Sequence, residues 1–223
     1  SDLAVLYRTN LAPRLLVERL MEYNIPFTMP DSLPNLYEHW ISRNIISYIQ
    51  VALGTRERQK VLEIINRPKR YVSRDALEDP IVSWEKVKSF YQDKGWMVER
   101  IEQLEYDLQM IAGMSPVAAV NYIRKGAGYD EYLKEYAQFR RMKPEELIEL
   151  ADQLQESASG YKTFDAWFAH MEEYKEQLQI QAASRDRDRS QEEAVSLMTM
   201  HSAKGLEFKV DFILDANEGS TPD

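Results

Sequence analysis

The chain has 223 residues, of which 44% are hydrophobic and 29% charged, a composition typical of a globular protein with a sizeable core. It contains no cysteine, which excludes a disulfide scaffold, a cysteine zinc site and a thiol nucleophile, and fits a reducing cytoplasm. A formal net charge of -9 argues against a nucleic-acid partner only if the charge is evenly spread. Because no apolar run approaches the roughly 20 residues of a membrane span, we expect no membrane partner.

Residues 1–28 predict a strand, a turn, a helix and a second extended segment. Residues 3–7 are a short apolar run of the kind that forms a strand buried in a parallel sheet. Thr9 or Asn10 can cap the following helix, and Pro13 suits its first turn. We interpret this segment as the first part of an α/β domain, because it is too short to form a domain alone.

Residues 29–183 predict an inserted α-helical domain, in which apolar residues recur at helical spacing and glycine- or proline-containing turns separate the helices. Trp84, Trp96 and Trp167 fall at the spacing of a helical core and are interpreted as core residues. The charge is uneven. Residues 56–74 hold seven basic and two acidic residues, a net charge of +5, whereas residues 145–178 hold nine acidic and two basic residues, a net charge of -7.

Residues 184–193 have almost no apolar content and predict a flexible linker. Residues 194–199 and 209–214 then predict two strands, so that residues 194–223 form the second part of the α/β domain. The alternation of Val210, Phe212 and Leu214 with polar residues predicts one less buried face on the last strand. The predicted fold class is therefore mainly α, a helical insert within a partial α/β domain whose two ends pair in one parallel sheet.

The loop at residues 199–208 lies between these two strands and is the most distinctive segment of the chain. Polar loops that follow strand ends are where α/β sheets bind ligands. This loop offers His201, Ser202, Lys204 and Glu207 as partners for phosphate and sugar hydroxyls. Its spacing alone leaves open a solvated connection between strands, in which Glu207 is an ordinary surface carboxylate.

Residues 195–208 resemble motif V of the UvrD/Rep/PcrA group of superfamily 1 DNA helicases. Three further segments resemble that family and occur in the same order along the chain. They are residues 4–10 with Arg14, which resemble the strand and turn after motif IV, residues 66–70, which resemble the entry to a helical element, and residues 217–222, which resemble the stretch after motif V. The resemblance implies a fragment that contains part of the second RecA-like motor domain, called 2A, around a complete inserted subdomain, called 2B. It also implies an ATP-dependent cytoplasmic helicase that moves 3′ to 5′ in DNA repair or recombination.

The resemblance further implies which residues form the sites. For ATP, the implied residues are Glu207, which would hydrogen-bond the ribose, and Lys204 and Gly205, which would shape the loop that couples the ATP and DNA sites. Those for single-stranded DNA are Arg8, Asn10, Thr199 and His201, and those for duplex DNA are Lys69, Arg70 and Arg74. The implied cofactors of the whole protein are ATP and Mg²⁺, and its implied partners are DNA, single-stranded and duplex, and a repair protein bound by the helical subdomain.

Two departures from the family pattern affect these roles. Residues 71–73 replace a Gly-Ile-Gly turn, so their backbone amides are expected to approach duplex DNA less closely. Asp223 stands where the family often has histidine, and an aspartate repels phosphate.

No phosphate-binding G-x-x-x-x-G-K-[ST] motif is present, so we expect no catalytic residue, no metal ligand and no ATP hydrolysis or unwinding by this chain alone. Two alternatives stay open. The chain is a non-catalytic module that binds DNA or protein, or it belongs to a helicase–nuclease of the same family.

Overall fold

The computed structural model describes residues 3–7, 13–29, 35–185 and 194–214. The chain divides into two compact units. The sheet unit consists of residues 1–35 and 172–223, and the helical unit consists of residues 36–171. Among the helices of the described ranges, none combines the length and the apolar character that crossing a membrane requires.

The sheet unit contains four parallel strands in the order β2-β3-β1-β4. Its elements are β1 (Leu3–Tyr7), α1 (Arg14–Glu22), β2 (Phe27–Thr28), β3 (Val195–Thr199) and β4 (Val210–Ile213). Val5 of β1 lies opposite Leu197 on one side and Phe212 on the other. The prediction that the two ends of the chain pair in one parallel sheet is thus confirmed.

The core of the sheet unit is formed by apolar residues from both ends of the chain. Its buried members are Val5, Tyr7, Val17, Leu20, Met29 and Leu197. Val17 and Leu20 are three residues apart on α1, so this helix directs one apolar stripe toward the core. Because neither end supplies enough apolar surface alone, burial of the core stabilises the sheet only when both ends are present.

Strand β4 differs from its prediction. All four of its residues are exposed, including Val210, Phe212 and Ile213, which are 48%, 55% and 48% exposed. The predicted less buried face is present, and the opposite face is exposed as well. β4 lies at the edge of the sheet, where it is paired only with β1 among the described residues. Only Leu214, one residue beyond the strand, packs partly against the core.

The helical unit follows the predicted pattern of helices separated by turns. Its helices are α2 (Trp40–Ala52), α3 (Arg58–Ile64), α4 (Trp84–Phe90), α5 (Gly95–Ala112), α6 (Pro116–Asn121), α7 (Tyr129–Arg140) and α8 (Pro144–Ser159). Short 3-10 turns cover Leu36–Glu38 and Arg74–Leu77, and a π-helical segment covers Tyr122–Gly126. Local chemistry sets several boundaries, because Ser83 caps α4 through the Lys86 amide and proline occupies the first turn of α6 and α8.

The last helix, α9 (Phe164–Arg185), begins in the helical unit and ends in the sheet unit. It continues two residues into the segment predicted as a linker, which is a correction to that boundary. Residues 186–193 of the predicted linker lie outside the described residues.

The core of the helical unit is built on α2, which packs against α3, α5 and α8. Ile41, Ile45 and Ile49 of α2 are fully buried, as their four-residue spacing predicts. Trp84 and Trp167 are buried, at 6% and 0% exposure, which confirms their interpretation as core residues. Trp96 is 51% exposed, so the same interpretation is wrong for it. It lies in the first turn of α5, whereas the buried face of that helix begins at Met97.

A buried ion-pair network joins the π-helical segment to α7 and α8. Arg124 and Asp130, with side chains 3% and 1% exposed, are joined by an Nε–Oδ1 contact of 3.1 Å. Arg124 also bonds Asp152 at 2.6 Å and Gln155 at 2.7 Å, and Lys125 reaches Asp130 at 2.6 Å. Burial disfavours the charge of Arg124, but the two carboxylates outweigh it and raise the pKa of Arg124 above its usual value.

This network predicts a large difference between two adjacent basic residues. Arg124→Ala should lower the free energy of unfolding by about 3–5 kcal/mol, because it leaves the buried Asp130 without its main partner. Lys125→Ala removes a side chain that is 60% exposed and should cost at most about 1 kcal/mol. Urea unfolding followed by circular dichroism measures both values. Equal losses for the two variants would contradict a structural role for the buried pair.

Candidate functional site

The first candidate site is the β3 loop, which we define as residues 200–209. It leaves the carboxyl end of β3, where the Met200 amide still donates to the Tyr7 carbonyl at 2.8 Å. The Thr199 hydroxyl accepts the Ser202 amide at 3.1 Å and donates to the Ser202 hydroxyl at 2.8 Å. The Ala203 amide donates to the Thr199 carbonyl at 3.0 Å. Thr199 therefore folds the loop back on itself, with its hydroxyl engaged in that turn.

The β3 loop exposes the side chains that the resemblance assigns to ligands. His201, Lys204 and Glu207 are all exposed, and Gly205 adopts a φ of 88°. This left-handed backbone favours glycine and lets the chain turn toward Glu207. A carboxylate can accept bonds from sugar hydroxyls, and a histidine ring can stack on a base or donate to phosphate. The loop therefore has the donors and acceptors that one wall of a nucleotide or DNA site requires.

The structure places four of the predicted site residues, His201, Lys204, Gly205 and Glu207, in this one loop, and a fifth, Thr199, is the last residue of β3 before it. The predicted residues Arg8 and Asn10 lie outside the described residues. Tyr7, the last residue of β1, lies opposite Thr199 in the parallel register. The carboxyl ends of these two strands are therefore neighbours at one edge of the sheet.

The second candidate site is the basic loop, which we define as residues 66–74 of the helical unit. The fully buried Tyr48 of α2 holds this loop by hydrogen bonds. The Tyr48 hydroxyl donates to the Arg67 carbonyl at 2.7 Å and accepts from Arg70 at 3.0 Å. The Asn66 side chain closes the loop, since it donates to the Val72 carbonyl at 2.8 Å and accepts the Val72 amide at 2.9 Å.

Arg70 has a structural role in the basic loop. It is 6% exposed, and its Nη1 also lies 3.2 Å from the Ile64 carbonyl and 3.3 Å from the Ile65 carbonyl. This burial leaves Arg70 little surface for a contact with duplex DNA, because its guanidinium donates to the carbonyls at the end of α3. The neighbouring Lys69 and Arg74 are exposed, and Lys69 pairs with Glu135 at 3.0 Å.

Tyr71 stands where the family commonly has glycine, and it adopts a φ of 62°. The loop therefore keeps a glycine-type conformation without glycine, held by the Asn66 bridge and by the Ser73 amide, which donates to the Tyr91 hydroxyl at 2.6 Å. The Tyr71 side chain is 67% exposed. The structure thus places an aromatic ring on the surface at the turn.

Two surface residues lie near this turn, Arg100, which the sequence pattern did not single out, and Trp96, which it assigned to the core. The Arg100 guanidinium carbon lies 5.4 Å from the centre of the Tyr71 ring and 4.9 Å from the centre of the Trp96 ring. Trp96 and Arg100 are four residues apart on α5, a spacing that places side chains on one helix face. The four-residue spacing indicates that the two side chains share a helix face, but it does not indicate that this face is exposed.

Metal ligands were expected to be absent. Among the residues that the structure describes, no group of three or more His, Asp or Glu side chains could hold a metal ion. His39 and His170 contact aromatic rings, since His39 lies 5.8 Å from Trp40 and His170 lies 5.2 Å from Tyr161, measured between ring centres.

Comparison with known families assigns the chain to a class. The profile of the family described as UvrD-like helicase C-terminal domain matches residues 1–223. The chain therefore belongs to this family, and the resemblance drawn from residues 195–208 and the other three segments is confirmed.

Individual relatives agree with the family. The chain is 27% identical over 238 residues to YjcD of Bacillus subtilis, and it is 25% identical over 253 residues to the ATP-dependent DNA helicase PcrA of Staphylococcus epidermidis. It is 27% identical over 245 residues to the PcrA helicase of Staphylococcus aureus. Each alignment covers 100% of this chain but only 29–32% of the relative. The chain thus spans about a third of the length of the curated relatives it matches.

The contrast between Arg70 and Arg74 leads to a stability prediction. Arg70→Ala should lower the free energy of unfolding by about 2–3 kcal/mol, because it leaves Tyr48 and buried carbonyls without their charged donor. Arg74→Ala, at an exposed position, should change it by less than about 0.5 kcal/mol. Urea denaturation of both variants tests this, and an unchanged midpoint for Arg70→Ala would rule out its structural role.

Proposed function

We propose that the chain is part of an ATP-dependent DNA helicase that moves 3′ to 5′ along single-stranded DNA. In this proposal the sheet unit is part of the RecA-like 2A domain, and the helical unit is the inserted 2B subdomain. The observation that carries the proposal is the β3 loop, which follows a parallel strand and exposes Glu207 and His201. Membership of the UvrD-like helicase C-terminal domain family supports it.

The proposed contribution to ATP binding is one wall of the nucleotide site. The exposed Glu207 carboxylate would accept hydrogen bonds from the ribose hydroxyls. Lys204 and Gly205 would set the shape of the loop between Glu207 and the DNA-facing residues. The phosphate-binding motif and the groups that hold Mg²⁺ are not in this sequence, so other parts of the full-length protein would supply them.

The proposed path of single-stranded DNA runs along the carboxyl ends of β1 and β3. His201 would stack on a base or donate to a phosphate, and Arg8 and Asn10, which follow β1 in the sequence, would contact the DNA backbone or a base. Thr199 would act mainly by holding the turn that presents His201, because its hydroxyl already bonds the Ser202 amide.

The proposed duplex contacts belong to the basic loop. Lys69 and Arg74 are exposed, and the surrounding residues 56–74 carry the net charge of +5. Their attraction for phosphate is long-range and screened by salt, so it supplies affinity without reading sequence. The acidic segment at residues 145–178 offers a surface for a protein partner, such as a repair protein, by charge complementarity.

A single substitution in the full-length protein tests the nucleotide role. Glu207→Ala should weaken ATP binding roughly tenfold to a hundredfold, which corresponds to one or two lost bonds to a charged acceptor. Asp211→Ala is the matched control, because it removes an exposed acid from β4 of the same unit and should leave ATP affinity unchanged. The measurements are ATP-analogue titration and DNA-stimulated ATPase rates. Unchanged values for Glu207→Ala would refute the ribose contact.

Salt-titrated binding of duplex DNA to the chain tests the basic loop. Arg74→Ala should weaken binding and reduce the slope of log K against log salt by about 1, because one phosphate contact is lost. Lys162→Ala is the control, since it removes an exposed lysine from the acidic segment and should leave the slope unchanged. Duplex binding that is absent, or that ignores salt, would contradict the contact and favour a protein-binding role for the helical unit.

A further inference from the structure

The surface beside the basic loop carries a cluster of one cation and two aromatic rings. We define the aromatic clamp as Tyr71, Trp96 and Arg100, with ring-to-guanidinium distances of 5.4 and 4.9 Å. Tyr71 is 67% exposed and Trp96 is 51% exposed. Both rings therefore present a large part of their surface to solvent.

Hydrogen bonds hold the loop that carries Tyr71 in place. Asn66 bridges both backbone groups of Val72, and the Ser73 amide donates to Tyr91. This framework holds Tyr71 at a φ of 62°, a conformation that an aromatic residue rarely adopts. Strained backbone that the surroundings enforce is concentrated at binding sites. Here its effect is to hold an aromatic ring at the surface instead of burying it.

Exposed cations lie in and beside the aromatic clamp. The exposed cations Lys69 and Arg74 lie in the same loop as Tyr71, and Arg100 contacts its ring. The ion pair between Lys69 and Glu135 joins side chains that are 60% and 59% exposed, so water competes with it and a phosphate can replace the carboxylate. Aromatic rings combined with exposed cations are typical of surfaces that bind single-stranded nucleic acid, where the rings stack on bases.

We propose that the aromatic clamp is a stacking site for an unpaired base of single-stranded DNA, on the helical unit and separate from the β3 loop. The inference rests on the proposed function, because it takes DNA as the partner of this chain. Arg100 orders the two rings by its cation–π contacts, and Lys69 and Arg74 attract the flanking phosphates. Paired bases offer no free face to these rings, so the site discriminates in favour of unpaired strands.

The test compares binding of oligothymidylate and of a blunt duplex to the 223-residue chain. Tyr71→Gly removes the ring, and glycine accepts the left-handed backbone without strain, so the fold is retained. We expect Tyr71→Gly to weaken oligothymidylate binding roughly fivefold to a hundredfold and duplex binding by less than about twofold. Tyr71→Phe should restore oligothymidylate affinity, because it returns a stacking surface.

Two controls make the result specific to the aromatic clamp. Phe139→Ala removes a side chain that is 84% exposed elsewhere in the helical unit, and it should leave both affinities unchanged. Oligothymidylate should also quench the tryptophan fluorescence of the chain, and Trp96→Phe should abolish most of that quenching. Of the other three tryptophans, Trp84 and Trp167 are buried, and Trp40 is half-buried with its ring 5.0 Å from that of Tyr136.

Equal oligothymidylate affinity in Tyr71→Gly and the unmodified chain would overturn the stacking site. If duplex binding then still depended on Arg74, the proposed duplex contact would stand and only this inference would fail. If the chain bound neither DNA form, both the stacking site and the proposed DNA contacts of the helical unit would be overturned, and a protein partner would take their place.

Discussion

Parallel pairing of β1 with β3 is the constraint on which the rest of the structure depends. Parallel strands cannot be joined by a tight turn, so the chain must leave the sheet after β2 and return before Val195. The whole helical unit lies within that connection. Since the buried residues around Val5 and Leu197 come from both ends of the chain, the sheet core forms only after the connection has been completed.

The same pairing positions the candidate site. The register that sets Tyr7 opposite Thr199 brings the carboxyl ends of β1 and β3 together at one edge of the sheet. The turn held by the Thr199 hydroxyl then presents His201 and Glu207 from a rigid strand end. A loop anchored in this way keeps its exposed side chains in place at little entropic cost, which is why binding sites recur at the carboxyl ends of parallel strands. The proposed function of the sheet unit therefore depends on strand order as much as on the motif.

The sequence predicted the parts of the fold that depend on pattern. The apolar run of β1 and the four-residue spacing of Ile41 and Ile45 are direct consequences of burial, and the structure agrees with them. Arg70 shows where the sequence pattern is insufficient. The sequence does not distinguish a basic side chain that contacts phosphate from one that donates to buried carbonyls. Trp96 was predicted to be buried and is exposed, because helical spacing predicts which side chains share a face but not whether another element packs against that face. Both outcomes depend on tertiary contacts that one sequence does not contain.

The most direct test of the central claim is a structure of the full-length protein with a non-hydrolysable ATP analogue and a single-stranded DNA overhang. The account predicts a Glu207 carboxylate oxygen within about 3 Å of a ribose hydroxyl of the nucleotide, with His201 against the DNA strand. A nucleotide whose ribose lies away from the β3 loop, with Glu207 facing solvent, would contradict the account.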